Sequence, residues 1–220
     1  MEEYSKLNDS IYWRDAAGLF VNLFVPSELN WSEKGFRLRQ ETKFPEDQAT
    51  RFTVTVDRPA QLAIRLRIPS WLESGPTVKI NGKALDATAA PGSYLTLART
   101  WKSGDRIEME LPMHLLVESM PDDRTMQAFL YGPLVLAGDL GAYGLTQDLT
   151  VGPRVNGPPL RRAPALTIPA LRASSPDPSA WIKPADKPLT FRTAGQATDV
   201  TLVPLNSVFG RRYSVYWQVS

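Results

Sequence analysis

Closely spaced carboxylates, a single histidine and six tryptophans are the side chains of this sequence whose types could do chemistry. Two carboxylates held roughly 5 to 10 Å apart across a cleft suffice for glycoside hydrolysis. Asp122 and Asp123, however, are adjacent and follow Pro121, a setting in which Asp bonds nearby backbone amides. A turn is their expected role. Glu108 and Glu110 alternate with Ile107, Met109 and Leu111, which puts them on the solvent side of a half-buried strand. His114 has no evident acid or thiol to orient it as a general base, and a surface or strand-edge position is expected. No Gly-x-Ser-x-Gly elbow occurs, and Gly138, Gly141 and Gly144 lack the spacing and strand-to-helix setting of a nucleotide fingerprint. No catalytic, cofactor-binding or metal-binding residue is therefore expected in this chain.

The tryptophans pose a different question, because aromatic faces on a β-sandwich can stack on sugars. Trp71 follows Pro69-Ser70, Trp101 precedes a turn and Trp181 lies in a proline-rich stretch. Each could contact carbohydrate, and each could equally cap a sheet end or fill the interface between sandwiches. Cysteine is absent, which removes disulfides, thiolate nucleophiles and thiolate metal sites. The net charge is +2, with Lys and Arg scattered among Asp and Glu, so no nucleic-acid partner is expected. No apolar run approaches the roughly 20 residues that span a bilayer, and Met1 to Asp9 are not signal-like. No membrane partner is expected, and the cytoplasm is the default compartment.

Along the chain the dominant hydrophobic period is two. Phe36 and Leu38 alternate with arginines, Phe52, Val54 and Val56 with threonines, and Leu62, Ile64, Leu66 and Ile68 with Ala63, Arg65 and Arg67. Val78 to Ile80 followed by Asn81-Gly82 reads as a hairpin, since both turn residues tolerate the left-handed region. Lys102 to Asp105 reads as a second turn. Leu19 to Val25 reads as a strand covered on both sides, entered through Asp15 to Gly18, where glycine would supply a positive φ. Near the end, Tyr213, Val215 and Trp217 should share one face. Only Met1 to Leu7 reads helical.

These elements predict an all-β chain of two tandem antiparallel β-sandwich, jelly-roll-like domains with a short N-terminal helix remnant. The expected divisions are 1–12 for the helix and junction, 13–117 for the first sandwich and 118–220 for the second. The second includes a proline-rich loop at about 152–188, expected to be ordered because Leu160, Leu166, Ile168, Leu171, Trp181 and Ile182 give it apolar anchors.

Several runs carry a family resemblance. Ser10 to Asp15, Gly18 to Trp31, Arg67 to Trp71, Val78 to Gly82, Trp101-Lys102 with Gly104-Asp105, Met120 to Asp123, Tyr131 to Gly138 and Arg212 to Trp217 resemble, in order and over essentially the whole chain, glycoside hydrolase family 127. These are β-L-arabinofuranosidase-like proteins, formerly a domain of unknown function. The resemblance implies an (α/α)6 catalytic barrel preceding two β-sandwiches, with Met1 to Ser10 as the barrel's last helix. It also implies a cysteine nucleophile on a zinc-bound cluster of cysteines and a glutamate, with paired cysteines just upstream of the position matching Met1. Zinc is accordingly expected only in that barrel. The chain alone is expected to be a non-catalytic accessory region that braces the barrel, with a homodimer as a further partner. The alternative is a carbohydrate-binding module using exposed aromatics. Without a barrel, Tyr12, Trp13, Phe20 and Phe24 should be left exposed.

Overall fold

A computed structural model describes residues 9–146, 149 and 163–220. The expected helix at Met1 to Leu7 and the start of the proline-rich segment, including Gly157-Pro158-Pro159 and Leu160, lie outside the described residues. The chain divides into two compact units, Met1–Met113 and His114–Ser220.

The first unit is a sandwich of two sheets. One sheet orders β1 (Tyr12–Arg14), β2 (Gly18–Val21), β6 (Ala60–Arg67) and β9 (Tyr94–Trp101) as β1-β2-β6-β9. The other comprises β3 (Ser27–Trp31), β4 (Phe36–Thr42), β5 (Ala49–Val56), β7 (Thr77–Ile80), β8 (Lys83–Ala84) and β10 (Arg106–Glu110), in the order β3-β4-β5-β10-β7-β8. The alternation read from the sequence sets which side chains meet between them. Leu62, Ile64, Leu66, Leu95 and Leu97 from the first sheet pack with Phe36, Leu38, Phe52, Val54, Ile107 and Met109 from the second. At roughly 25 cal/mol per Å² of apolar surface removed from water, this shared core is the main stabilising term. Asn81 and Gly82 have φ of 52° and 77°, as the type I′ hairpin between β7 and β8 requires. The second turn is fastened by Asp105, whose carboxylate accepts from Lys102 N at 2.9 Å and from Asn81 Nδ2 at 2.8 Å.

Three features of this unit differ from the sequence expectation. The pairing is not wholly antiparallel, because β2 lies parallel to β6 with Gly18 opposite Ala63. A parallel neighbour brings Ala63 close, and a Cβ on Gly18 would fall 1.9 Å from the Ala63 carbonyl oxygen. Gly18 is thus needed for close backbone approach and not for a positive φ, which it does not have. The turn before it is instead shaped by Asp15, whose Oδ1 accepts from the backbone N–H groups of Ala17 and Gly18 at 2.9 and 2.8 Å. The strand also ends at Val21 rather than Val25, and the chain then crosses to the other sheet as β3.

The second unit is built on one branched sheet rather than two separate ones. Its path runs β11 (Leu115–Ser119), β12 (Met126–Tyr131), β13 (Leu134–Asp139), β16 (Thr201–Pro204), β15 (Phe191–Thr193) and β14 (Ile182–Pro184). The division between units falls at Met113/His114, so β11, which carries Val117, belongs here. β12 and β13 pair only through Phe129 to Tyr131 and Leu134 to Leu136 before they diverge. Into that fork fit β18 (Tyr216–Gln218) against β12 and β17 (Tyr213–Ser214) against β13. Because the chain changes partner at Val215, the alternation slips, and the expected shared face of Tyr213, Val215 and Trp217 is not formed. Tyr213 and Tyr216 both face solvent while Trp217 is fully buried. The Ser214 hydroxyl donates to the Tyr216 carbonyl at 2.7 Å across this slip. Gly138 on β13 leaves room for the indole: a Cβ there would lie 2.2 Å from Trp217 Cζ2.

Within 163–188 the chain makes few ladder bonds, as its prolines dictate. It is nonetheless anchored, for Leu171, Trp181 and Ile182 are buried and Leu171 bridges Val219 in parallel. Ile168 is exposed.

Candidate interaction surface

The outward face of the sheet β1-β2-β6-β9 concentrates aromatic and arginine side chains. Register places Trp13 beside Phe20, Phe20 beside Arg65 and Arg67 beside Tyr94. The rings of Phe20 and Tyr94 meet edge to face, with centroids 5.2 Å apart. The Arg65 guanidinium lies 4.5 Å above the Phe20 ring and donates to Asp15 Oδ1 at 3.2 Å. Desolvation opposes ionisation of Asp15, but the Arg65 guanidinium and the N–H groups of Ala17 and Gly18 outweigh it and hold the carboxyl below its ordinary value. The Tyr94 hydroxyl donates to Asn22 Oδ1 at 2.6 Å, and Arg67 reaches the Asn22 carbonyl. The rings are therefore fixed, yet Trp13 is 63% exposed and Tyr94 39%. The face is thus pre-ordered and carries exposed aromatics.

The expected exposure of all four aromatics is only partly realised. Trp13 and Phe20 stay open or half-open, whereas Phe24 is 8% exposed and Tyr12 is half-buried. The Tyr12 hydroxyl turns inward between the sheets, bonding Ser27 Oγ at 2.9 Å and donating to Gln40 Oε1 at 3.2 Å. Gln40 in turn donates to the Leu23 carbonyl. Burial raises the pKa of the Tyr12 hydroxyl; the Ser27 bond opposes that shift and the charge of Glu28 adds to it. This network ties β1 to the second sheet. Its sequence signal was a polar residue at the inward slot of an alternating strand, since Gln40 follows Phe36 and Leu38 at period two.

The three tryptophans read as sugar contacts fall in different settings. Trp101 is fully buried and donates through Nε1 to the Leu62 carbonyl at 3.1 Å, with Arg99 stacked on its ring. Trp181 is 3% exposed and meets Phe129 edge to face at 5.4 Å. Neither presents a face to a ligand. Trp71 is half-buried, with one face stacked on Phe44 at 6.2 Å. No two of the three are brought together.

Asp123 shapes a turn, accepting from the backbone N–H and the hydroxyl of Thr125, and those bonds hold its carboxyl below the usual range. Glu108 and Glu110 lie on the outward side of β10 while Ile107 and Met109 are fully buried. His114 is half-buried at the start of the second unit, where its carbonyl accepts from Gly132 N. Among the described residues no group of three or more Asp, Glu or His side chains converges on a metal-sized site, and cysteine is absent from the chain. These residues do not fit the zinc cluster that the resemblance implies.

Comparison with known proteins separates the two units. Residues 18–113 match the β-L-arabinofuranosidase, GH127 middle domain. The first unit is thus similar to a family 127 middle domain. Beyond it, residues 116–219 match a domain of unknown function, DUF4986. The family 127 match takes in β2 to β10, so Phe20, Arg65 and Tyr94 fall within the matching stretch. Three solved structures share the fold. A GH127 β-L-arabinofuranosidase from Geobacillus stearothermophilus T6 superposes with a TM-score of 0.68 at 22% identity, over 98% of this chain and 36% of its own. A glycoside hydrolase gives 0.66 at 20% identity, over 96% and 37%, and a GH127 β-arabinofuranosidase gives 0.66 at 20% identity, over 96% and 36%. The chain thus spans little more than a third of each of these proteins. No curated protein matches it.

Proposed function

We propose that this chain is the non-catalytic β-sandwich region of a β-L-arabinofuranosidase-like glycoside hydrolase. In this reading the first unit braces an N-terminal (α/α)6 catalytic barrel and the second contributes to subunit association. The chain by itself catalyses no hydrolysis and holds no cofactor, and zinc belongs to the barrel. The observation that carries the reading is the fixed, exposed aromatic face of Trp13, Phe20 and Tyr94 on a unit similar to a family 127 middle domain. Covering the open part of one such ring contributes about 2 to 3 kcal/mol, which is unbalanced when the face meets only water.

Sedimentation velocity of the chain over a range of concentrations tests this. The expected result is reversible self-association through the uncovered face, suppressed in Trp13→Ser and Phe20→Ser, with no release of aglycone from an aryl β-L-arabinofuranoside. A monomer at every concentration would remove the docking role, and turnover of the aryl glycoside would remove the non-catalytic one.

A further inference from the structure

The opposite sheet of the first unit carries a cavity of about 570 Å³ on its outward side, within the range that binds small molecules. Its charged lining comes from neighbouring strands and one loop: Glu28 on β3, Arg39 and Glu41 on β4, Arg51 on β5, and Lys43 and Asp47 on the connection between β4 and β5. Three cations thus face three carboxylates. We propose that this cavity binds a short neutral saccharide.

The lining is polar and balanced in charge. An anionic ligand would want excess positive charge, and an apolar one would want apolar walls. A neutral polyhydroxylated ligand instead needs planar donors and acceptors side by side, which guanidinium and carboxylate groups supply. Arg39 is held in an ion pair with Glu41 at 3.3 Å, so donor and acceptor are presented together. Arg51 stands opposite Glu41 in the ladder and joins no ion pair among the described residues. Its donors are available.

The wall is built before any ligand arrives. Thr42 Oγ1 accepts from Phe44 N at 3.0 Å and donates to the Ala49 carbonyl at 3.1 Å, and Asp47 Oδ1 accepts from Ala49 N at 3.3 Å. Glu46 N and Asp47 N both bond the Lys43 carbonyl. Phe44 then pins the loop, with its ring edge-on to Phe24 at 5.8 Å and stacked on Trp71 at 6.2 Å. Gln40 also lines the cavity, and its amide, turned inward and bonded to Tyr12 and the Leu23 carbonyl, fixes the strand from behind. Such preorganisation lowers the ordering cost of binding. Trp71 in this arrangement is a positioning residue for the wall, not the platform on which the sugar stacks.

The cavity and the aromatic docking face lie on different sheets, so failure of one leaves the other standing. The test is amide chemical-shift mapping of the whole chain titrated with an arabinotriose, with trigalacturonate as the anionic comparison. Millimolar binding of the neutral trisaccharide is expected, with shifts clustered at 26–28, 39–43 and 47–51. Arg51→Ala, a solvent-facing change, should weaken it about tenfold while leaving the rest of the spectrum unchanged. Absence of shifts with the neutral sugar, tighter binding of trigalacturonate, shifts centred elsewhere, or an unaltered Kd in Arg51→Ala would each overturn the proposal.

Discussion

Replacing Gly18 by alanine distinguishes close approach from conformational freedom as the reason for that glycine. The added Cβ would sit 1.9 Å from the Ala63 carbonyl oxygen and 2.8 Å from both Ala63 C and Ala63 N. A carbon-to-oxygen contact relaxes near 3.3 Å, so β2 and β6 must part by roughly 1.4 Å at this point. Both partners are backbone, and no flexible side chain can yield. The Ala63 N–H to Ala17 carbonyl bond of 3.0 Å would be lost along with neighbouring rungs. Losing it, stranding the N–H of buried Ala63 and breaking the rungs beside it costs on the order of 3 kcal/mol. Gly82→Ala is the control: its φ is +77° but nothing lies within 4 Å of the added Cβ, so only the left-handed strain remains, about 1 kcal/mol. Urea unfolding followed by tryptophan fluorescence should therefore show the first-unit transition moved at least twice as far by Gly18→Ala as by Gly82→Ala. Equal shifts, or rescue by Gly18→Asn, would refute the close-approach argument.

Three further outcomes follow from the same geometry. Gly138→Ala drives a methyl group into the Trp217 ring, and the second unit should lose about 2 to 4 kcal/mol, recovered in part by adding Trp217→Leu; calorimetry would read both. Tyr12→Phe removes the hydroxyl between Ser27 and Gln40 and should cost about 1 to 2 kcal/mol in a urea titration, with Gln40 left short of a donor. Asp139 is pushed up by burial, but its 2.6 Å bond from Arg211, the Gly141 N–H and the Arg211 charge prevail and hold its carboxyl below the ordinary value. Since the folded value is depressed, its contribution is complete above the unfolded carboxylate pKa of about 3.9 and is lost as pH falls through the folded one. Asp139→Asn should flatten that acid limb of a melting-temperature profile.

Most of the first unit is legible in its alternation, because half-buried strands leave a period-two record in Phe36 to Thr42, Ala49 to Val56 and Ala60 to Arg67. The Asn81-Gly82 hairpin is equally plain, since it is a local matter of φ. What alternation does not encode is which strands become neighbours. Gly18 looks like a turn glycine until Ala63, 45 positions on, is placed beside it. The exchange of partners at Val215 is invisible for the same reason, and with it the fate of Tyr213 and Trp217. Sugar contact at Trp101 and Trp181 could not be judged from residue type, because an indole beside a turn reads alike whether it caps the core or faces water. The charged cavity escaped notice because Arg39, Glu41 and Arg51 are ordinary outward residues one strand at a time; only the ladder assembles them.

The pairing of β2 with β6 has a consequence for the order of events in folding. Hairpins such as β3-β4 and β7-β8 join segments close in sequence and close quickly, whereas β2 must wait for a strand that emerges after β3, β4 and β5. The β1-β2 arm should dock late and, in the native state, be among the first parts to open. Amide exchange in Gly18 to Val21 should then outpace that of Phe52 to Val54. Because that arm carries Trp13 and Phe20, whatever seats on those rings would also latch the slowest-closing edge of the unit.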